Sequence, residues 1–288
     1  MPDRPTTIVH ARSLLFVPAH RPERFDKARR SGADAIVLDL EDGVADNLKD
    51  TARKNVNAWL TDSRSAVVRI NATETEWFDE DVEMLRHFAC PVMLPKAESA
   101  AEIASLHAIL PDGSCVVPLL ETATGILNAP EICAADGVAR AAFGNGDMAY
   151  DLGADGSAWP ALLHARSAII TASAAAGIAR PLDGATTSLS DQDVLRADSL
   201  HARTLGFTGR ICVHPAQVAL VNELFTPTAD ELAHARAVVE TAQDGCVTSL
   251  GGKLVGKPMV ERAKQLLRIW EDRVNEDMND LTSIYPHV

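Results

Sequence analysis

The chain has 288 residues, 47% of them apolar and 23% charged, enough for one large core or for a core with an appendage. A net charge of −13, with no stripe of Lys or Arg and few aromatic residues, argues against nucleic acid and anionic membranes as partners. Met1 to Ala11 carries prolines and charges where a leader would be apolar, and no apolar run reaches the roughly 18 residues of a membrane span, so a folded cytoplasmic enzyme is expected.

In chain order, short β-type runs alternate with amphipathic helical stretches. The runs cover 14–17, 35–38, 66–70, 92–94, 116–120, 139–143, 177–180 and 209–213, the seventh being barely apolar. Between them Leu48, Ala52, Val56, Trp59 and Leu60 recur on one helical stripe. Ser99 with Glu102, and Thr228 with Glu231, have the spacing of capping boxes, while Pro22 and Pro160 suit first turns and Gly32 and Gly206 suit helix stops. Repeated β-then-α units predict a (β/α)8 TIM barrel over residues 1–226 with additional C-terminal helices over 227–288, a doubly wound open sheet being the alternative. After Thr226 the strands are expected to stop. Helical patterns at 228–243 and 258–278 flank a Gly-rich segment, 245–256, that reads as an exposed connection or as a lid or subunit-swapped arm. Cys90, Cys115, Cys133, Cys212 and Cys246 are scattered with no C-x-x-C pair, as expected of reduced structural thiols.

Barrel enzymes carry their reactive groups at the carboxyl ends of the strands. The groups there are Pro18 after the first run, Asp39, Glu41 and Asp42 after the second, Arg69 and Asn71 around the third, and Lys96 and Glu98 after the fourth. Glu121 follows the fifth, Asn145 and Asp147 the sixth, and His214 the eighth. Each has a plainer reading. The acids after the second run can cap the next helix, Arg69 can pair with one of them, Lys96 and Glu98 can form a surface pair, and His214 can be a hydrogen-bonded loop residue. Glu121 and Asp147, each closing an apolar run beside glycines, can share one divalent cation. Two carboxylates leave such a cation open positions that a 2-oxo acid fills through its carboxylate and keto oxygens, and a nearby Arg offsets charge on an alkoxide or enolate. No lysine reads as buried for a Schiff base, so the metal route is preferred to an imine.

The stretches Arg12-Ser-Leu-Leu-Phe-Val-Pro18, Asp34-Ala-Ile-Val-Leu-Asp-Leu-Glu-Asp-Gly-Val44, Val68-Arg-Ile-Asn71, Leu94-Pro-Lys-Ala-Glu98, Leu120-Glu-Thr-Ala-Thr-Gly125, Phe143-Gly-Asn-Gly-Asp147 and Gly209-Arg-Ile-Cys-Val-His-Pro215 follow the order of a known family. The chain resembles, over about residues 12–270, the citrate lyase β-subunit-like family, which includes malyl-CoA and citramalyl-CoA lyases. The resemblance implies a Mg2+-dependent lyase on a (β/α)8 barrel, a homotrimer or hexamer, that cleaves 3-hydroxyacyl thioesters of coenzyme A into an acyl-CoA and a 2-oxo acid. It implies Glu121 and Asp147 as magnesium ligands, Arg69 as the substrate-binding and charge-stabilising arginine, and Glu41 and Asp42 as acids holding metal-bound water. Backbone N–H groups from Gly144 through Asn145 to Asp147 are implied to receive the oxo-acid carboxylate, and Arg12 with Lys96 to face the CoA.

The chain departs from that family at the Gly-rich segment. Relatives resemble one another there in a Gly-Lys-Met-Ile-Asp-x-Pro pattern whose Asp serves the neighbouring subunit as acid/base, whereas this chain reads Gly252-Lys-Leu-Val-Gly-Lys-Pro258, with Gly256 in the place of the Asp. Asp155, Asp244 and His214 are candidate substitutes. The rival expectations are an aldolase on free hydroxy-oxo acids, an acyl-CoA thioesterase, or a catalytically weakened ligand-binding subunit.

Overall fold

The computed structural model describes residues 8–189, 191–241, 248–251 and 253–284. These fall into two compact units that divide between Phe225 and Thr226.

The first unit is a closed barrel of eight strands paired in parallel in chain order: β1 (Ser13–Pro18), β2 (Ala35–Asp39), β3 (Val67–Arg69), β4 (Pro91–Leu94), β5 (Cys115–Leu120), β6 (Arg140–Phe143), β7 (Ala179–Asp183) and β8 (Gly209–Cys212). Closure is by β8 against β1, with Ser13 opposite Arg210 and Leu15 opposite Cys212. Strand residues point alternately in and out, and the two sets form separate cores. Leu14, Ala35, Val37, Val67, Met93, Val117, Leu119, Ala142, Leu182 and Ile211 fill the interior. Leu15, Ile36, Leu38, Val68, Val92, Val116, Leu120, Phe143 and Cys212 face the surrounding helices.

Local sequence explains the helices. The Leu48–Leu60 stripe becomes the helix Lys49–Thr61, burying Ala52, Val56, Trp59 and Leu60. Ser99 and Glu102 close both bonds of a capping box on the helix Ala100–Ile109. Gly206 ends the helix Gln192–Leu205 at φ 118°, a left-handed conformation that favours glycine.

The seventh run needs correction. Gly177 is the left-handed stop of the helix Leu163–Ala176, and the strand starts at Ala179 and runs through Pro181 to Asp183. The weak apolarity of 177–180 reflects that junction.

The second unit packs Ala235, Val238, Val255 and Ala263 between the helices Ala229–Thr241 and Lys257–Ile284. Here the expectation that strands stop after Thr226 fails, because β9 (Thr248–Leu250) and β10 (Lys253–Val255) pair antiparallel with Leu250 opposite Lys253. Thr, Leu and Val flank a glycine pair, the composition of a tight hairpin, and Gly251 turns at φ 59°. Asp244 and Cys246 lie outside the described residues.

Candidate active site

The inward alternation that builds the barrel core carries straight into a polar layer at its carboxyl end. After Ala35 and Val37 comes Asp39 on β2, after Val67 comes Arg69 on β3, and after Val117 and Leu119 comes Glu121 past β5. One residue step along any of these strands would turn its polar group outward into the apolar shell, so the register that buries the core also aims the site.

Arg69 is the hub of this layer. Its Nε and Nη2 donate to the two oxygens of Asp39 at 2.7 and 2.8 Å, and its Nη1 lies 2.6 Å from Glu41 Oε2. Asp39 is completed by the backbone N–H groups of Glu41 and Gly43, each at 3.0 Å, so this carboxylate holds both the arginine and the loop behind it. The guanidinium also sits 4.9 Å over the Phe16 ring. Burial alone would lower the Arg69 pKa, yet Asp39 and Glu41 raise it, and the side chain stays a cation.

Glu121 is 3% exposed and accepts the backbone N–H of Lys96 at 3.0 Å. Burial, then the negative charge of Glu41, pushes its pKa up to about 8, and Asp147 adds to the effect. Gly144 makes the close approach possible, since a Cβ there would collide with the Glu121 carboxylate and Cβ. Asp147 stands in the first turn of the helix Asn145–Leu152, where N–H groups lack intrahelical acceptors.

Lys96 is the residue that sequence reasoning underrated. Glu98 is not its partner. The Lys96 ammonium lies 2.5 Å from Glu41 Oε1, 3.3 Å from Asp147 Oδ2 and 4.0 Å from Asp42 Oδ2. Its backbone adopts φ 47°, uncommon for a side chain of this kind, and that conformation points its N–H at Glu121. The available signal was Pro95, the first residue past β4, which leaves Lys96 second in the loop.

A second lysine corrects the reading that none is buried. Lys49, 5% exposed, donates from Nζ to the carbonyls of Leu40 and Glu41 at 2.8 Å and to Asn71 Oδ1 at 2.6 Å. Those three bonds account for the three N–H groups of an ammonium, so its chemistry is structural and the case against an imine stands on new ground. Asn71 in turn donates to Asp81, which pairs with Arg53 at 2.9 Å, so the loops after β2 and β3 are tied to two helices.

The structure thus brings together Glu41, Asp42, Arg69, Glu121, Asp147 and the Gly144–Asn145 turn, whose Asn145 donates to the Ala185 carbonyl at 3.1 Å. It does not bring Arg12 there. Arg12 precedes β1, at the opposite end of the barrel, and pairs doubly with Asp34 at 2.7 and 2.8 Å. Asp155 is exposed and accepts from Ser157, and exposed His214 accepts the Ala216 N–H through Nδ1.

Among the described residues no three His, Cys, Asp or Glu side chains close around one point. The donor set still fits a hard divalent cation. Glu121 is a buried carboxylate whose ionised form is opposed by its acidic neighbours, and two carboxylates with open positions are how Mg2+ is commonly bound.

A family model described as HpcH/HpaI aldolase/citrate lyase matches residues 12–215. A citrate lyase subunit beta-like protein of Deinococcus radiodurans is 37% identical over 89% of this chain and 96% of its own length. A (3S)-malyl-CoA thioesterase of Cereibacter sphaeroides is 32% identical over 89% of this chain and 93% of its own. Among solved structures, protein CitE of Mycobacterium tuberculosis in complex with magnesium, acetoacetate and coenzyme A superposes with a TM-score of 0.79 at 35% identity, covering 92% of this chain and 100% of that one.

Proposed function

We propose, for a chain that belongs to the HpcH/HpaI aldolase/citrate lyase family, that it cleaves the carbon–carbon bond of a 3-hydroxyacyl-CoA of malyl, citramalyl or citryl type, giving an acyl-CoA and a 2-oxo acid. The observation that carries this reading is the meeting of Glu121, Asp147 and Arg69 in one polar layer at the carboxyl end of the barrel.

Mg2+ is the cofactor, as in the similar CitE complex, and Glu121 and Asp147 are the residues that would hold it. When bound it supplies Lewis-acid polarisation of the acid's oxygens and offsets charge that builds up during cleavage. The chain's own residues do the rest. First-turn N–H groups of Asn145, Gly146 and Asp147 receive the carboxylate of the oxo-acid half. Arg69, fixed by the Asp39 fork, presents a permanent positive charge toward the oxygen where negative charge develops. Glu41 and Asp42 orient water at the rim. In the reaction the hydroxyl loses its proton and becomes the keto group, the carbon–carbon bond breaks, and its electron pair forms the thioester enolate, which takes up a proton to give the acyl-CoA.

The family resemblance implies that a lid Asp from a neighbouring subunit carries the proton. Gly256 supplies none, so the homotrimer or hexamer with a shared site is proposed here with its acid/base half altered. This residue also favours a second reading, a weakened family member that binds the oxo acid without turning over. The thioesterase relative makes hydrolysis the nearest enzymatic rival.

With Mg2+ and a panel of malyl-, citramalyl- and citryl-CoA, purified protein is expected to release a 2-oxo acid, and Arg69→Ala or Asp147→Ala to abolish release. If no thioester is cleaved while oxo acid still binds only with Mg2+, the lyase reading falls and the binding reading replaces it.

A further inference from the structure

We propose that Lys96 is a tethered cation that competes with Mg2+ for the carboxylates at the barrel mouth and thereby sets the metal affinity of the site. The inference rests on the magnesium reading above and goes beyond it, because it assigns the affinity of the metal to a residue that does not ligate it.

The geometry is specific. A lysine on a solvent-facing loop moves among many rotamers and pairs weakly. The Lys96 ammonium instead meets three acids drawn from two places in the chain: Glu41 at 2.5 Å and Asp42 at 4.0 Å from the loop after β2, and Asp147 at 3.3 Å from the helix after β6. The side chain is about two-thirds covered, at 31% exposed, and Glu41 is 6% exposed, so solvent screens the cluster only partly. At the backbone, the left-handed turn at φ 47° fixes Lys96 by its N–H to Glu121, the other proposed magnesium ligand. One residue therefore touches both ligands, Glu121 through its main chain and Asp147 through its side chain.

A divalent cation held by Glu121 and Asp147 meets this ammonium at short range, where like charges in a half-buried site repel strongly. The ammonium must swing away or be tolerated, and either way the two cations oppose each other. Linkage makes the effect reciprocal: removing the lysine's charge tightens the metal by the factor the lysine imposes. The same ammonium also gives the acid cluster a counter-charge, so in metal-free protein its removal leaves Glu41 and Asp147 facing each other across the mouth.

The test is calorimetric titration of MgCl2 into the parent and into Lys96→Met, Lys96→Gln and Lys96→Arg, with Asp147→Asn as the control that loses the metal. Met and Gln, like Lys, are unbranched at Cβ and suit the same backbone, and far-UV circular dichroism verifies folding of each. Both neutral variants are expected to bind Mg2+ about ten-fold or more tightly than the parent, within the usual span of coupled sites, while Lys96→Arg stays near the parent. In EDTA the neutral variants should melt below the parent, and saturating Mg2+ should close or reverse that gap. Equal or weaker Mg2+ binding by folded Lys96→Met and Lys96→Gln overturns the competition while leaving the magnesium site intact. Failure of the parent and every variant to bind Mg2+ overturns the magnesium reading and this inference with it.

Discussion

Arg69 does two jobs with one guanidinium, because its fork to Asp39 fixes the plane and its remaining edge faces Glu41 and the mouth. Lysine cannot reproduce that fork. Arg69→Lys is therefore expected to lower kcat/KM by about 10²- to 10³-fold with the fold intact, measured as initial rates of 2-oxo acid release. Gly144→Ala should act differently, since the new Cβ collides with the Glu121 side chain. A loss of about 1–3 kcal/mol in urea unfolding and weaker Mg2+ binding are expected; unchanged values for both would show that Glu121 is not held where the structure has it. At the opposite extreme of reactivity, burial pushes the Cys90 and Cys212 thiols up to about 12 and that of Cys133 to about 11. With folded pKa values raised this far, at pH 8 these groups keep their protons, and a disulfide reagent with peptide mapping should label them only after denaturation. Of the residues at the mouth, Asp39, Arg69 and Glu121 were legible because they continue the two-residue period of β2, β3 and the β5 end. Lys96 was legible as a strand-end group but its acidic partners were not, and Lys49 was missed altogether, because nothing in a lone lysine's neighbours along the chain says that it folds onto acids or carbonyls far away in sequence.

At the scale of elements, the barrel depends on ties between loops as much as on strands. Lys49 holds the carbonyls of Leu40 and Glu41 and the side chain of Asn71 at once. Lys49→Met keeps the length of the side chain and strands those acceptors, so about 1–3 kcal/mol of stability should be lost, together with activity, because Glu41 rides on the loosened loop. Ser99→Ala removes half of the capping box it forms with Glu102 and should cost about 1 kcal/mol in the same unfolding assay. Seven strands were readable from apolar runs bounded by breakers. β7 was misplaced because Pro181 and Asp183 interrupt its pattern while Gly177 and Ile178, which resemble a strand start, belong to a helix stop. The β9–β10 hairpin was read as a linker because short strands around glycines carry almost no periodic signal.

For the whole molecule, the charge of −13 and the barrel architecture say little about chemistry, since this fold hosts many reactions. The distinguishing feature is a mouth where Arg69, Glu121 and Asp147 meet, in a chain whose second unit carries Gly256 at the position where the resemblance leads one to expect an acid. Gly256 directly precedes the helix Lys257–Ile284, and a Cβ there meets only Pro258, at 3.8 Å, so Gly256→Asp should fold normally. If the second unit serves a neighbouring subunit's mouth, that variant should raise turnover, by up to the roughly 10²- to 10⁴-fold of general acid/base catalysis, and sedimentation should show an oligomer. No change in rate, or an active monomer, would remove the shared lid. Lysis of a carbon–carbon bond and hydrolysis of a thioester leave different products from the same substrate, and this gives the most direct test of the central claim. A single incubation of malyl-, citramalyl- or citryl-CoA with the protein and Mg2+, resolved by mass spectrometry, is predicted to yield acetyl-CoA with an equal amount of glyoxylate, pyruvate or oxaloacetate and no free CoA thiol, and none of these products in EDTA. Free CoA with the intact hydroxy acid and no 2-oxo acid would contradict it.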